Sequence, residues 1–550
     1  MKTSLAPWIR CPACLSETDL RSGEAAAVAP ATPPAGGSEG IVWDGALVCR
    51  GCGRRYAIRE GVVLAGVLDD AWVAILGEMI QRRLLTEDAL RGAPEEERAY
   101  DARHAEQGRQ SRAIADACFE AVQQRWVELG ARRVLDCGAG MMETSDWFAR
   151  QGAEVVAVEP EISMLRYAAF EGLNAAPLRS CEMGGRTYFN RNPAPFPAYF
   201  NRFAADCQRL PFAEGAFDLA FCRATAHHAT DLNAAMAEMA RVVRPGGHVV
   251  LCAEPIRSVL DRESDHLENC AGCEHGLNEH VPTLWNYLRA LGRWSDSIHV
   301  QYWPQVARFR TRRLFDLLRY PYERHLWPAE MVEGWRRAKL FVVSGGVNLY
   351  ARRAARRVPA PPHRLPKPAP AKGGDALDEI AEPYFRSEFP ASPERIHEDT
   401  RRLMARWRAL VARRAALYPA RVEPGRASPA QLQSGWSGVQ GRGGGAFRYA
   451  LQQAVAILRA DAGASRLIVE ISGGRPGAAY ESRLTLNDGP PVPLSGEGAA
   501  WRREAIALDR ETLRAGGDRV VVVRIESLRR ERLAGTGWTV GPAIRLLAVE

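Results

Sequence analysis

Apolar and polar residues follow different periods in different parts of this chain. From about residue 100 to Arg353, short apolar runs such as Val155–Val158 and Phe217–Phe221 alternate with stretches in which apolar residues recur every three to four positions. Leu232, Ala235, Met236, Met239 and Val243, for example, share one helical face. Strand-like runs separated by amphipathic helices predict a doubly wound α/β sheet over residues 100–357.

Elsewhere the pattern changes. Residues 375–428 read as a helical bridge, with Ile396, Leu403, Trp407 and Leu410 at helix-compatible spacing and arginines between them. Beyond 429 the period becomes two, as in Leu467, Val469 and Ile471 or Leu484 and Leu486, with Asn487, Asp488 and Gly489 as a turn, which predicts an all-β sandwich over 429–550. Residues 1–66 form a small cysteine-bearing unit interrupted at 23–40 by an Ala/Pro/Gly stretch without period, and 67–99 make a helical connector. Six prolines between Pro359 and Pro370 predict an extended linker over 358–374. The fold expected is therefore multidomain.

Composition sharpens this. With 550 residues, 46% apolar and 25% charged, the chain is globular and too long for one core. Its net charge of +8 is uneven: residues 301–420 hold 24 basic and 12 acidic residues, so the excess sits there and the remainder is slightly acidic. A solvated arginine-rich face is the simplest expectation, and contact with an anionic glycan, lipid headgroup or RNA the alternative. The first ten residues contain no apolar signal core, and no run approaches the roughly 18 apolar residues of a membrane span, so a cytoplasmic protein with no membrane span is expected. In that compartment the twelve cysteines are reduced or hold metal.

The candidate chemistry starts at VLDCGAG, Val134 to Gly140, a strand followed by a glycine turn and a helix start near Thr144. Gly138 and Gly140 let the backbone approach a ligand closely, while Met141 and Met142 stand where a dinucleotide fingerprint has glycine, which disfavours pyrophosphate. Glu159 ends the next strand 23 residues after Asp136, placed to accept both hydroxyls of a ribose. Taken in order, VLDCGAG, VEP, ADCQRLPF, GAFDLAFCRATAHH and RVVRPGG resemble the class I S-adenosylmethionine-dependent methyltransferases over about 250 residues. The resemblance implies a Rossmann-like core with S-adenosyl-L-methionine as cofactor. It implies that Asp136, Gly138 and Gly140 line the methionine end, that Glu159 holds the ribose, that Asp206 with the Cys207 backbone binds the adenine amino group, and that Arg223 belongs to the same site.

Methyl transfer to a hydroxyl needs a base. His227 and His228, just after the fourth strand, are candidates, as are Glu279 and His280 in the segment EHGLNEH, where related methyltransferases carry a substrate loop. Support of the cofactor loop is the plainer role for the histidine pair. The NRNPAPFPAYFNRF composition within residues 172–205 suits either a substrate lid or a solvated loop.

Cys11 and Cys14, with Cys49 and Cys52, form two CxxC knuckles that place four thiolates around a structural Zn2+. ALVCRGCGRRYAIREGVVLAG resembles the short zinc ribbon related to the activator subunit of tRNA and protein methyltransferases. A second pair, Cys270 and Cys273, with His266, His275 and His280 nearby, is a weaker candidate for metal than for a loop whose Glu274, Asn278, Glu279 and His280 approach the acceptor.

The glycine-rich GWSGVQGRGGGAFRYA lacks the Lys-Ser/Thr ending of a phosphate loop. Together with the later strands it resembles a β-sandwich appended to bacterial enzymes of surface polysaccharide pathways. The leading expectation is thus methylation of a hydroxyl on a glycan or other small molecule. An RNA methyltransferase, using the ribbon and the basic bridge, is the alternative, and a non-catalytic scaffold is disfavoured by retention of Asp136, Glu159 and Asp206.

Overall fold

The structure is a computed structural model. It describes residues 1–22, 42–66, 113–140, 142–162, 201–261, 280–304, 344–355, 418–425, 445–450, 453–487, 489–515, 519–529 and 539–550. It also describes a few short strands and isolated positions such as Gly40, Leu377, Trp407 and Trp436.

Among the described residues, eleven strands join in one sheet. They are β1 (Thr18–Ser22), β2 (Gly45–Cys49), β3 (Arg55–Arg59), β4 (Val62–Leu64), β5 (Arg133–Cys137), β6 (Glu154–Val158), β9 (Asn201–Ala204), β10 (Phe217–Arg223), β11 (Val243–Ile256), β12 (Ser295–Pro304) and β13 (Gly345–Arg353). A separate hairpin pairs β7 (Ser180–Met183) with β8 (Arg186–Phe189). The order across the large sheet is β1-β2-β3-β4-β9-β6-β5-β10-β11-β13-β12. Strands β9, β6, β5, β10 and β11 run parallel, whereas β13 is antiparallel to both β11 and β12.

The central positions of β5, β6, β10 and β11 are apolar because both faces of the sheet are covered. Val134, Leu219, Phe221 and Val250 enter one core with Phe119, Trp126, Trp147 and Phe148, while Leu135, Ala220, Cys222 and Leu251 enter another with the helices Leu232–Val242 and Leu284–Gly292. Each fully buried large side chain contributes about 1.5–3 kcal/mol. The helix Leu232–Val242 starts where sequence periodicity placed it, because Asp231 accepts hydrogen bonds from the Asn233 and Ala234 amides.

The N-terminal unit is continuous with this sheet. Val62–Leu64 pairs parallel to Arg202–Ala204, and Ile9 bridges to Phe212. The buried Arg202 guanidinium joins the two parts, donating to the Glu60 carbonyl (2.8 Å) and the Leu165 carbonyl (2.9 Å). At the end of the 172–205 stretch, Asn201–Ala204 is a fully buried strand inside the sheet, and its Asn201 side-chain oxygen accepts from the Lys2 amide at 2.7 Å.

Further along, two antiparallel sheets share one apolar cluster. The first orders β14 (Arg421–Val422), β24 (Ala543–Val549), β17 (Arg466–Ser472) and β20 (Arg502–Ala507), with β15 (Arg448–Tyr449) also on β24; the second orders β16 (Gln453–Arg459), β21 (Val520–Arg529), β18 (Ala479–Leu486) and β19 (Val492–Glu497). Leu467, Val469, Ile471, Leu484 and Leu486 all enter the shared cluster, as their period of two requires. Arg421–Val422, in the stretch expected to be helical bridge, pairs with Leu547 and Ala548 and so lies in the first of these sheets.

No helix among the described residues is long and apolar enough to cross a membrane. The insert at 23–39, the connector 67–99, the linker 358–374, most of the basic stretch, and His266, Cys270, Cys273, Glu274, His275, Asn278 and Glu279 lie outside the described residues.

Candidate methyl-donor site

Three acids from separate parts of the sequence reach the carboxyl ends of adjacent strands, the end at which open α/β sheets bind ligands. Asp136 is in β5, Glu159 follows β6, and Asp206 follows β9.

Asp136 is buried. Ser145 donates to its Oδ2 at 2.6 Å, while Oδ1 is enclosed without a hydrogen-bond partner. Burial pushes this carboxyl up to about 6, against the opposing pull of the Ser145 hydroxyl and of Arg223. An enclosed, unpaired carboxylate oxygen fits a site that receives a positively charged ligand group.

Both glycines of the turn have left-handed backbone, φ +70° at Gly138 and +52° at Gly140. Gly138 has a reason different from the one expected. A Cβ there would lie 2.1 Å from the Thr225 Cγ2, so the glycine makes room for a protein side chain. Its amide and that of Ala139 both donate to the Val158 carbonyl, at 2.8 and 3.0 Å, which ties the turn to the end of β6. Glu159 completes the tie, accepting from the Gly140 amide on Oε2 and from the Glu161 amide on Oε1, both at 3.0 Å.

Asp206 accepts from the Gln208 backbone amide (2.9 Å) and from its side-chain amide. Beyond it, Leu210–Phe212 is held by a buried pair in the helix Leu232–Val242. Glu238 accepts from the Leu210 amide (2.8 Å), and Arg241, bound to Glu238, donates to the carbonyls of Leu210 (3.0 Å) and Phe212 (2.6 Å). The Cys207 thiol is pushed well up by burial, which makes it inert. Arg223 pairs with Asp116 at 2.9 Å and lies over the Phe119 ring.

At the rim, the His227 and His228 rings lie with centroids 4.2 Å apart and planes tilted by 35°. His227 is buried, with Nδ1 2.9 Å from Glu254. His280 is half-buried and precedes the helix Leu284–Gly292. Sequence reading missed Glu254, which meets His227, Tyr287, which donates to Glu254, and Asn348, which accepts from the neighbouring Ala253 amide.

The four N-terminal cysteines form a separate cluster. The Sγ atoms of Cys11, Cys14, Cys49 and Cys52 all lie within 4.8 Å of one another, and the Gly51 and Cys52 amides donate to the Cys49 sulfur at 3.3 Å. Tetrahedral zinc thiolates at about 2.3 Å from the metal require sulfurs about 3.8 Å apart, so this donor set fits zinc.

The strand order and the acid-lined glycine turn define an open α/β domain with a candidate ligand site at its strand ends. Residues 135–251 match the family described as "Methyltransferase domain". The chain is 33% identical over 125 residues to a malonyl-[acyl-carrier protein] O-methyltransferase of Pseudescherichia vulneris, covering 22% of this chain and 40% of the relative. It is 29% identical over 152 residues to methyltransferase GfsG of Streptomyces halstedii, covering 27% and 48%. The chain thus spans about half the length of the curated relatives it matches. Among solved structures, a geranyl diphosphate C-methyltransferase of Streptomyces coelicolor A3(2) aligns at 15% identity and TM-score 0.28, covering 48% of this chain and 86% of that one. The matched region is thus similar to methyltransferase domains.

Proposed function

We propose that the protein transfers a methyl group from S-adenosylmethionine to a hydroxyl of a glycan or other small molecule in a surface polysaccharide pathway. The observation that carries this reading is the meeting of Asp136, Glu159 and Asp206 at the ends of three neighbouring parallel strands, beside a glycine turn. Asp136, Gly138 and Gly140 would face the methionine end, Glu159 the ribose, and Asp206 with the Cys207 backbone the adenine. The cofactor supplies an electrophilic methyl group, and the chain's part is to orient the acceptor, exclude water and take up its proton.

The oxygen acceptor is supported by the histidine pair at the rim and by the O-methyltransferase among the relatives. The glycan is supported by the paired C-terminal sheets, which we assign as a β-sandwich of the kind found on polysaccharide-pathway enzymes. The cysteine cluster we assign as a zinc ribbon whose metal is structural, working in the reducing cytoplasm.

Calorimetry with S-adenosylmethionine, followed by labelled methyl incorporation into a lipid-linked glycan extract and into total RNA, tests the reading. Donor binding and label in the glycan fraction are expected. No binding would refute methyl transfer, and label confined to RNA would refute the glycan acceptor.

A further inference from the structure

The pair His227 and Glu254 lies at the end of the sheet where the fourth and fifth strands of the methyltransferase domain finish, outside the three acids assigned to the cofactor. Glu254 is fully buried at the carboxyl end of β11. A strand position there would follow the alternation of β11, but the register against β13 shifts between Leu251 and Glu254, and Ala253 adopts φ +57°. Such a bulge re-aims the next side chain. Asn348 of β13 holds it in place, accepting from the Ala253 amide at 3.0 Å and donating to the Cys118 carbonyl at 2.7 Å.

The carboxylate so placed takes part in five hydrogen bonds with nitrogen and oxygen groups, besides a longer one from the Cys222 thiol. Three come from the backbone amides of Thr225 (2.9 Å), Ala226 (2.9 Å) and His227 (3.1 Å), one from the Tyr287 hydroxyl (3.1 Å), and one joins His227 Nδ1 (2.9 Å). Burial alone would raise this carboxyl, but the His227 imidazole and the converging backbone N–H groups outweigh it and hold it below the ordinary range. An ionised carboxylate only accepts, so the ring nitrogen facing it carries the proton.

We propose that Glu254 is a positioning residue that fixes His227 as the Nδ1–H tautomer, leaving Nε2 with the lone pair that takes the acceptor's proton. This deepens the methyl-transfer reading and rests on it. As the acceptor oxygen bonds to the methyl carbon, its O–H proton passes to Nε2, and the electron pair of the breaking carbon–sulfur bond stays on sulfur. The imidazolium formed is neutralised by Glu254. Tyr287, the Cys222 thiol (3.9 Å from Glu254), the Cys252 thiol and the tilted His228 ring are other titratable groups around the pair. Backbone amides and Tyr287 hold both oxygens of the carboxylate, so its orientation is fixed before an acceptor arrives.

The test is long-range proton–nitrogen correlation NMR on the full chain labelled with 15N-histidine, with His227 assigned by the signals that His227→Ala removes. In the wild type at neutral pH, one His227 nitrogen should show the protonated and the other the unprotonated signal, correlated as the Nδ1–H tautomer. Glu254→Gln should mix or reverse the tautomers while calorimetric affinity for S-adenosylmethionine is kept, and Glu254→Asp should restore a single Nδ1–H form. A wild-type Nε2–H tautomer or tautomer mixture overturns the proposal without any variant, as does a Glu254→Gln spectrum identical to wild type. Loss of donor binding by the wild type would instead overturn methyl transfer itself.

Discussion

The amide of Gly140 donates to the Glu159 carboxylate at 3.0 Å, so the turn that follows the first strand of the methyltransferase domain and the acid that ends the second are one unit. Glu159 therefore both shapes the turn and, on the proposed reading, holds the ribose. Each charge-assisted hydrogen bond contributes about 1.5–3 kcal/mol, so Glu159→Ala is expected to weaken S-adenosylmethionine binding by at least ~100-fold in calorimetry. Affinity unchanged in that variant would remove Glu159 from the site.

Asp136 predicts a pH dependence. Burial raises its folded-state value to about 6, above the roughly 3.9 of an unfolded aspartate. The folded state therefore binds the proton more tightly, and the associated stability is complete below about pH 4 and lost as pH climbs through about 6. The loss amounts to ~3 kcal/mol across that window. Thermal melts of wild type and Asp136→Asn between pH 4 and 7 should diverge in this direction, and parallel curves would contradict it.

The glycine at 138 is predicted to be coupled to Thr225. An alanine would meet the threonine side chain at 2.1 Å and also sit at φ +70°. Overpacking costs about 1–3 kcal/mol and the left-handed backbone about 1–2 kcal/mol more. Combining Gly138→Ala with Thr225→Gly should recover only the first part. Denaturant melts in a double-mutant cycle read the coupling, and strict additivity would show that the two side-chain positions do not compete.

Metal content and donor binding should be linked in one direction. The Arg10 amide reaches the Pro211 carbonyl (2.9 Å) and the Ala213 amide reaches the Trp8 carbonyl (2.7 Å), so the chain entering the Cys11 knuckle braces the segment that follows Asp206. Elemental analysis should find about one zinc per chain. Cys49→Ser is expected to lose it, lower the melting temperature and weaken donor binding, whereas Glu159→Ala should keep its zinc. A zinc-free wild type would end the ribbon assignment.

The central parallel strands were legible because burial on two faces writes short apolar runs, and the acids at three strand ends stand at positions the sequence itself marks. Asp136, Glu159 and Asp206 each carry that local signature. Glu254 does not. Its aim depends on a bulge at Ala253 that exists only once β11 pairs with β13, almost a hundred residues away, and its partner Tyr287 lies on a helix between them. The partners of β9 were not legible either: its Arg202 is solvated by carbonyls from Glu60 and Leu165, both distant in sequence. Thr225 likewise gives Gly138 a purpose that no turn motif records.

Without its first four strands, the large sheet would end at β9, with a row of backbone donors and acceptors open to another chain. Here β4 occupies that row, and the limit on this side moves to β1, five residues carrying Asp19 and Arg21, with Asp19 bridged to Arg50 at 2.7 Å. A strand so short and charged is a poor template for intermolecular pairing. The cysteine knuckles thus guard against aggregation as well as bracing the fold, and among the described residues of this sheet, recruitment of a second molecule by strand addition is left to the opposite edge at β12.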